Sequence, residues 1–282
     1  MKRSISTKED FFQTSDGVSI YEKITETENA KGVVILVHGI AEHIGRYDYT
    51  TAYLAENGYN TVGWDLRGHG RSSGKRIYIR RFHQYLDDLN EVLSRTRSAF
   101  PGLPVFLLGH SMGGGIVTLF AIENSPDIAG LLLSAPSLKI SDNISPFMQK
   151  MSKFISVVFP KLPALKLDSS GISKDPEVVK SYDTDPLNYR KGILARTGAE
   201  ILKATEIIGR RMSEITGPVL IMHGTDDRLS DPEGSKNFNE AISSADKTLK
   251  LYEGLYHEIL NEPEKDRVLD DIAGWLNTHT EV

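Results

Sequence analysis

Short, unbroken apolar runs restrict the folds open to this chain more than any other feature. Residues 33–37, 104–108, 131–133 and 219–222 are of this kind, and three of them stop at or just before a glycine, Gly39, Gly109 and Gly224. A strand is apolar throughout only when both of its faces are covered, as in a parallel sheet. A fifth run, 248–252, alternates and ends at Glu253-Gly254. Between the runs lie helical patterns. Phe82, Tyr85, Leu86, Leu89, Val92 and Leu93 fall on one helical face, with Asp87, Asp88, Asn90 and Glu91 on the other. A last helix is predicted over 265–276, with Val268, Leu269, Ile272, Trp275 and Leu276 inward. Strands alternating with helices predict an α/β fold with a mostly parallel, doubly wound sheet.

The rhythm breaks between residues 137 and 211, where no clear buried strand is found and Ser, Lys and Pro increase. This stretch is predicted to be a helical cap, or lid, of two to four helices over the sheet. Residues 1–136 and 212–282 then form the core. A chain of 282 residues suits one large α/β domain carrying such an insertion. It has no cysteine, which excludes disulfides, zinc–thiolate sites and a cysteine nucleophile. Its net charge of −5 argues against a nucleic-acid partner. No run approaches the ~18 apolar residues of a membrane-spanning helix, and no apolar stretch follows Met1-Lys2-Arg3 as in a signal peptide. The expected location is cytoplasmic.

Gly109-His110-Ser111-Met112-Gly113 fits G-x-S-x-G. It follows an apolar run and precedes a predicted helix over 114–123, the setting of a nucleophile elbow, in which a sharp turn lifts a serine above the strand end. A serine nucleophile needs a base, and the base needs an acid to orient it. On such a sheet the chain order is Ser, then Asp or Glu, then His. Asp226 and Asp227 follow the run 219–222, and His257 follows the run 248–252. All therefore sit on loops at the same sheet edge as Ser111, and the two carboxylates compete for one role. The oxyanion hole needs two backbone N–H donors. Met112, after the nucleophile, supplies one, and Ile40, in the loop after the first buried run, is predicted to supply the other. This chemistry needs no cofactor or metal. His257-Glu258-Ile259-Leu260-Asn261 lacks the second histidine of H-E-x-x-H, and no phosphate-binding loop motif is present.

Taken together these segments resemble the monoacylglycerol lipase and lysophospholipase branch of the α/β hydrolases. The resemblance runs from about residue 33 to residue 276 and rests on 38–47, 65–70, 109–114, 185–187, 223–229 and 252–257. It implies that the acid is the aspartate immediately before Arg228-Leu229, which selects Asp227. It implies a helical cap where the insertion stands, and it implies that Glu42 and Arg46 meet the glycerol end of a substrate. Two positions depart from the family pattern: Leu260 stands where a third polar contact, a histidine, is expected, and Ile40 where mammalian members have a small residue.

Within the insertion Phe147, Met148, Met151, Phe154, Ile155 and Val158 form a helical stripe ending before Pro160. Met151, Phe154 and Ile155 are expected to line an acyl tunnel, and the basic amphipathic helix to touch a membrane surface peripherally. The expected activity is hydrolysis of a monoacylglycerol or similar single-chain lipid ester through an acyl-enzyme. Lysophospholipases, thioesterases, acyltransferases and imino-peptidases share the same triad. A non-catalytic hydrolase-like binding protein is the other alternative, and the intact triad weighs against it.

Overall fold

The computed structural model describes residues 3–139 and 154–280. Eight strands form the main sheet: β1 (Ile5–Gln13), β2 (Ser19–Thr27), β3 (Gly32–Val37), β4 (Tyr59–Trp64), β5 (Val105–His110), β6 (Gly130–Ser134), β9 (Val219–Gly224) and β10 (Lys247–Tyr252). Their order is β1-β2-β4-β3-β5-β6-β9-β10. β1 and β2 form an antiparallel hairpin and β2 joins β4 antiparallel, while every later pairing is parallel.

The unbroken apolar runs have their cause in two cores. Val33, Ile35 and Val37 of β3 enter one core and Val34 and Leu36 the other; Leu107 and Leu108 of β5 divide in the same way. On the first side pack α2 (His83–Ala99), α3 (Met112–Asn124) and Phe238 of α6 (Pro232–Ala241). On the second pack α1 (Asp48–Glu56) and α7 (Lys265–Thr278). Both faces of the central strands β3, β4, β5, β6 and β9 are thus closed to water, and the strand ends are left to carry chemistry.

Between β6 and β9 the described residues hold α4 (Pro176–Thr184), α5 (Ala195–Arg211) and a two-stranded ribbon of β7 (Pro163–Leu165) and β8 (Ile193–Leu194). The ribbon corrects the expectation that this stretch has no buried strand, since both residues of β8 are buried. Two residues are too short a run to stand out in a sequence. Helix α5 is shared between layers: Ala204 and Ile208 belong to the first core, while its first turn bonds to the loop before α2 through Thr197 Oγ1, which donates to the Ile77 carbonyl at 2.8 Å.

Candidate active site

β5 ends at His110 and α3 starts at Met112, so the chain reverses direction at Ser111 alone. Ser111 takes φ 53°, ψ −119°, a strained conformation for a residue with a side chain. Glycines on either side make the turn feasible. A Cβ on Gly109 would lie 2.5 Å from the Gly113 carbonyl oxygen, and one on Gly113 would lie 2.1 Å from that of Val37.

The loop after β9 carries Asp227 and the loop after β10 carries His257, and the two side chains meet. His257 donates its Nδ1–H to Asp227 Oδ2 at 2.7 Å, which leaves Nε2 as the basic nitrogen of a neutral ring. Asp227 accepts three further bonds: from His223 Nε2 to Oδ2 at 2.9 Å, and from the Leu229 and Ser230 amides to Oδ1 at 2.8 and 3.0 Å. His223 is itself held by the Ser235 hydroxyl, 2.7 Å from Nδ1. Burial opposes ionisation of Asp227, but the charge of His257 and the bonds from both histidines outweigh it and hold its carboxyl well below the usual range. For His257, burial favours the neutral ring, while the Asp227 charge, backed by Glu258 and Glu42, outweighs it and raises the pKa. The Asp226 carboxylate accepts from the exposed Thr225 hydroxyl and lies outside this network.

Ile40 and Met112 line the same cavity as Ser111. Met112 is the first residue of α3, so its N–H is one of those a helix leaves without an intrahelical acceptor. The loop after β3 also comes close to Ser111. Its Gly39 is so close that an added Cβ would lie 3.1 Å from Ser111 Cβ. His38 accepts the Leu66 amide on Nε2 at 2.9 Å and therefore donates Nδ1–H to the Gly39 carbonyl at 2.7 Å. In the trans peptide that follows, the Ile40 N–H points away from His38. Burial lowers the His38 pKa to about 3, and that of His110, whose ring centroid is 4.8 Å from that of His257, also to about 3. Both rings stay neutral.

Ser111, His257, Ile40 and Met112 share one cavity of about 240 Å³. Among the described residues its apolar wall includes Leu165, Leu167, Ile172, Ile193, Leu202 and Leu229. Neither Phe154 nor Ile155 lines it, and Met151 lies outside the described residues. Phe154 is 62 % exposed and Val158 is exposed as well, whereas Ser156 is buried, so these two residues of the stripe expected to face inward are turned to the surface. Periodicity establishes that a face is apolar without stating what it faces.

Glu42 lines the cavity, and so does Glu258, which the sequence reading had not singled out. Arg46 is drawn behind them. Its Nη1 and Nη2 bond Glu258 at 2.6 Å each, and Nη1 also bonds Glu42 Oε2 at 2.8 Å. The other oxygen of Glu42 accepts the Gly39 amide at 2.6 Å and the Tyr47 hydroxyl at 2.9 Å. The signals available in advance were slight: Glu258 beside His257, and His223 four residues before Asp227. No group of three or more His, Cys, Asp or Glu among the described residues could hold a metal.

The strand order, with a serine on the strained turn after β5 and a histidine–aspartate pair beyond β9, defines an α/β hydrolase. The family model for Hydrolase_4, described as serine aminopeptidase, S33, matches residues 28–264, and the chain belongs to that family of serine hydrolases. It is 35% identical over 277 residues to a monoacylglycerol lipase of Mycolicibacterium smegmatis, covering 98% of this chain and 99% of that one. It is also 35% identical over 257 residues to human monoglyceride lipase, covering 90% and 85%. Among solved structures, the Saccharomyces cerevisiae monoglyceride lipase in complex with a substrate analog superposes with a TM-score of 0.88 at 27% identity, covering 98% of this chain and 96% of that one. The Paleococcus ferrophilus monoacylglycerol lipase gives 0.80 at 29%, covering 99% and 100%.

Proposed function

We propose that this protein hydrolyses monoacylglycerols or similar single-chain lipid esters, with Ser111, His257 and Asp227 as its triad. The observation that carries the reading is one cavity joining Ser111 and His257 to an apolar wall that suits a single acyl chain. His257 Nε2 takes the Ser111 proton as Oγ attacks the ester carbonyl. The Ile40 and Met112 amides hold the oxyanion, and His257 returns the proton to the departing alcohol. Water, activated by the same ring, then releases the fatty acid. Asp227 keeps Nδ1 protonated and stabilises the imidazolium formed in each half-reaction.

In this reading residues 137–211 are the cap, and the apolar surface on it is where lipid meets the protein. Val157, Phe159 and Leu165 are 71, 60 and 59 % exposed, with Lys161 and Lys166 among them. Leu165 also lines the cavity, which makes it a step from a lipid surface towards Ser111. A peripheral contact of this kind suits a chain in which no described helix is long and apolar enough to cross a membrane.

The test is fatty-acid release from a monoacylglycerol series of increasing chain length by wild type and Ser111→Ala. Release by wild type alone supports the reading, and the preferred length reports the depth of the wall. Cleavage of short synthetic esters without release from any monoacylglycerol refutes the substrate class.

A further inference from the structure

The cavity has two chemically distinct ends. One is the apolar wall. The other is formed by Glu42 and Glu258, which reach the cavity beside His257. If His257 hands its proton to the departing alcohol, that alcohol lies at the carboxylate end and the acyl chain along the apolar wall.

The ionisable groups at this end are nearly buried. The side chains of Arg46, Glu42 and Glu258 are 9, 4 and 5 % exposed. One guanidinium therefore faces two carboxylates and neutralises one of them. Among the described residues the remaining neighbours add no cation. Tyr47 and Asn261 are neutral donors to Glu42 and Glu258, and the ring of Tyr182 lies 5.0 Å from the Arg46 guanidinium. His43 is occupied by Asp185 at 2.8 Å, and His110 is neutral. The cavity's own lysine, Lys139, is engaged by Asp231 at 2.8 Å. An excess of one negative charge therefore stands where the leaving group must sit, in a site too enclosed for salt to screen it fully.

We infer that Glu258 is a specificity-determining residue that makes the alcohol end of this site accept uncharged leaving groups and reject anionic ones such as a glycerol phosphate. The inference rests on the proposed ester hydrolysis at Ser111 and adds to it the headgroup class. Glu258 acts in two ways. It supplies the second carboxylate, and by holding both Nη atoms of Arg46 it denies that cation to an incoming phosphate. Its own amide donates to the Ile172 carbonyl of the insertion at 2.7 Å, which fixes its backbone and leaves the side chain little freedom to turn away.

The test compares kcat/KM for 1-decanoylglycerol and 1-decanoylglycerol 3-phosphate, below their micellar concentrations, for wild type, Glu258→Gln and Glu258→Asp. Wild type is expected to favour the neutral ester at least about tenfold, and Glu258→Gln to narrow that ratio by about tenfold. Glu258→Asp keeps the charge and is expected to keep the ratio even where its absolute rates fall. Equal kcat/KM for the two esters in wild type overturns the inference, whatever the variants do. So does an unchanged ratio in a folded Glu258→Gln. If wild type cleaves neither decanoyl ester but does cleave p-nitrophenyl butyrate, the monoacylglycerol reading fails separately. Inhibition of that reaction by decanol and decyl phosphate then decides: weaker inhibition by the phosphate supports the charge argument, and equal inhibition overturns it.

Discussion

Replacing Arg46 with methionine isolates the energetics of the buried charge cluster. The guanidinium makes three bonds of 2.6–2.8 Å to two nearly buried carboxylates. Methionine fills much of the space and leaves both carboxylates without a counterion. Removing one partner of a buried ion pair costs about 3–5 kcal/mol, chiefly through the charge left behind. Unfolding entropy of roughly 2.1 cal/mol/K per residue gives about 0.6 kcal/mol/K for a chain of this length, so Tm should fall by about 5–8 °C. Thermal unfolding followed by circular dichroism at neutral pH measures it. A double variant, Arg46→Met with Glu258→Met, removes one of the stranded charges and should recover about 1–3 kcal/mol of the loss. Glu42 keeps the donors from Gly39 and Tyr47 in that variant. A single variant within about 1 °C of wild type, or two substitutions whose effects simply add, would refute the reasoning.

Three further outcomes follow from the same coordinates. Because the His257 pKa is raised and the neutral ring is the base, kcat/KM should fall as pH drops through a value above the ordinary histidine pKa of about 6.5; an acid limb centred below that value contradicts the assignment. Asp227→Asn presents an amide to two histidine N–H donors and favours the wrong His257 tautomer, so kcat should drop roughly a thousand- to ten-thousand-fold with little change in Tm; a loss below about tenfold would remove Asp227 from the mechanism. Gly274 lies exposed within α7, and an added Cβ meets nothing within 4 Å, so Gly274→Ala should raise Tm by about 1–2 °C through roughly 0.5–1 kcal/mol of helix propensity; a decrease would show that the helix tolerates no side chain there.

The parts of this molecule legible in its sequence are those in which one short segment carries the whole signal. β3, β5, β6 and β9 were visible because burial on both faces leaves their central positions apolar. The elbow and the two aspartates were visible because each follows such a run, and His257 because it follows the alternating run 248–252. β4 was hidden, although all six of its residues are buried. Asn60 and Thr61 look like turn residues, but Asn60 Oδ1 accepts the Thr27 amide, and Gly63 is there because a Cβ would lie 2.3 Å from Ile44 Cγ1. The β1–β2 hairpin was hidden for the opposite reason, since β1 is an edge strand exposed along nearly its whole length. At the site, Glu258 and His223 acquire their meaning only from partners distant in sequence or from the turn that closes on them. The stripe around Phe154 shows the same gap, for its period is helical and its orientation is a tertiary fact.

Helix α5 has a consequence for anyone building chimeras of this protein. A junction at residue 211 treats 137–211 as an exchangeable cassette, yet it would carry off Ala204 and Ile208, which pack in one core with Phe120 and Phe238. It would also strip the loop before α2 of three partners: Thr197 Oγ1 bonds both the Ile77 carbonyl and the Ile79 amide, Glu200 accepts the Phe82 amide at 3.0 Å, and Arg196 Nε donates to the Arg80 carbonyl at 2.8 Å. Insertion and loop have to be transplanted together, with the downstream junction inside α5. Relatives whose loops differ at 77–82 are therefore poor donors of this segment, however similar their catalytic residues.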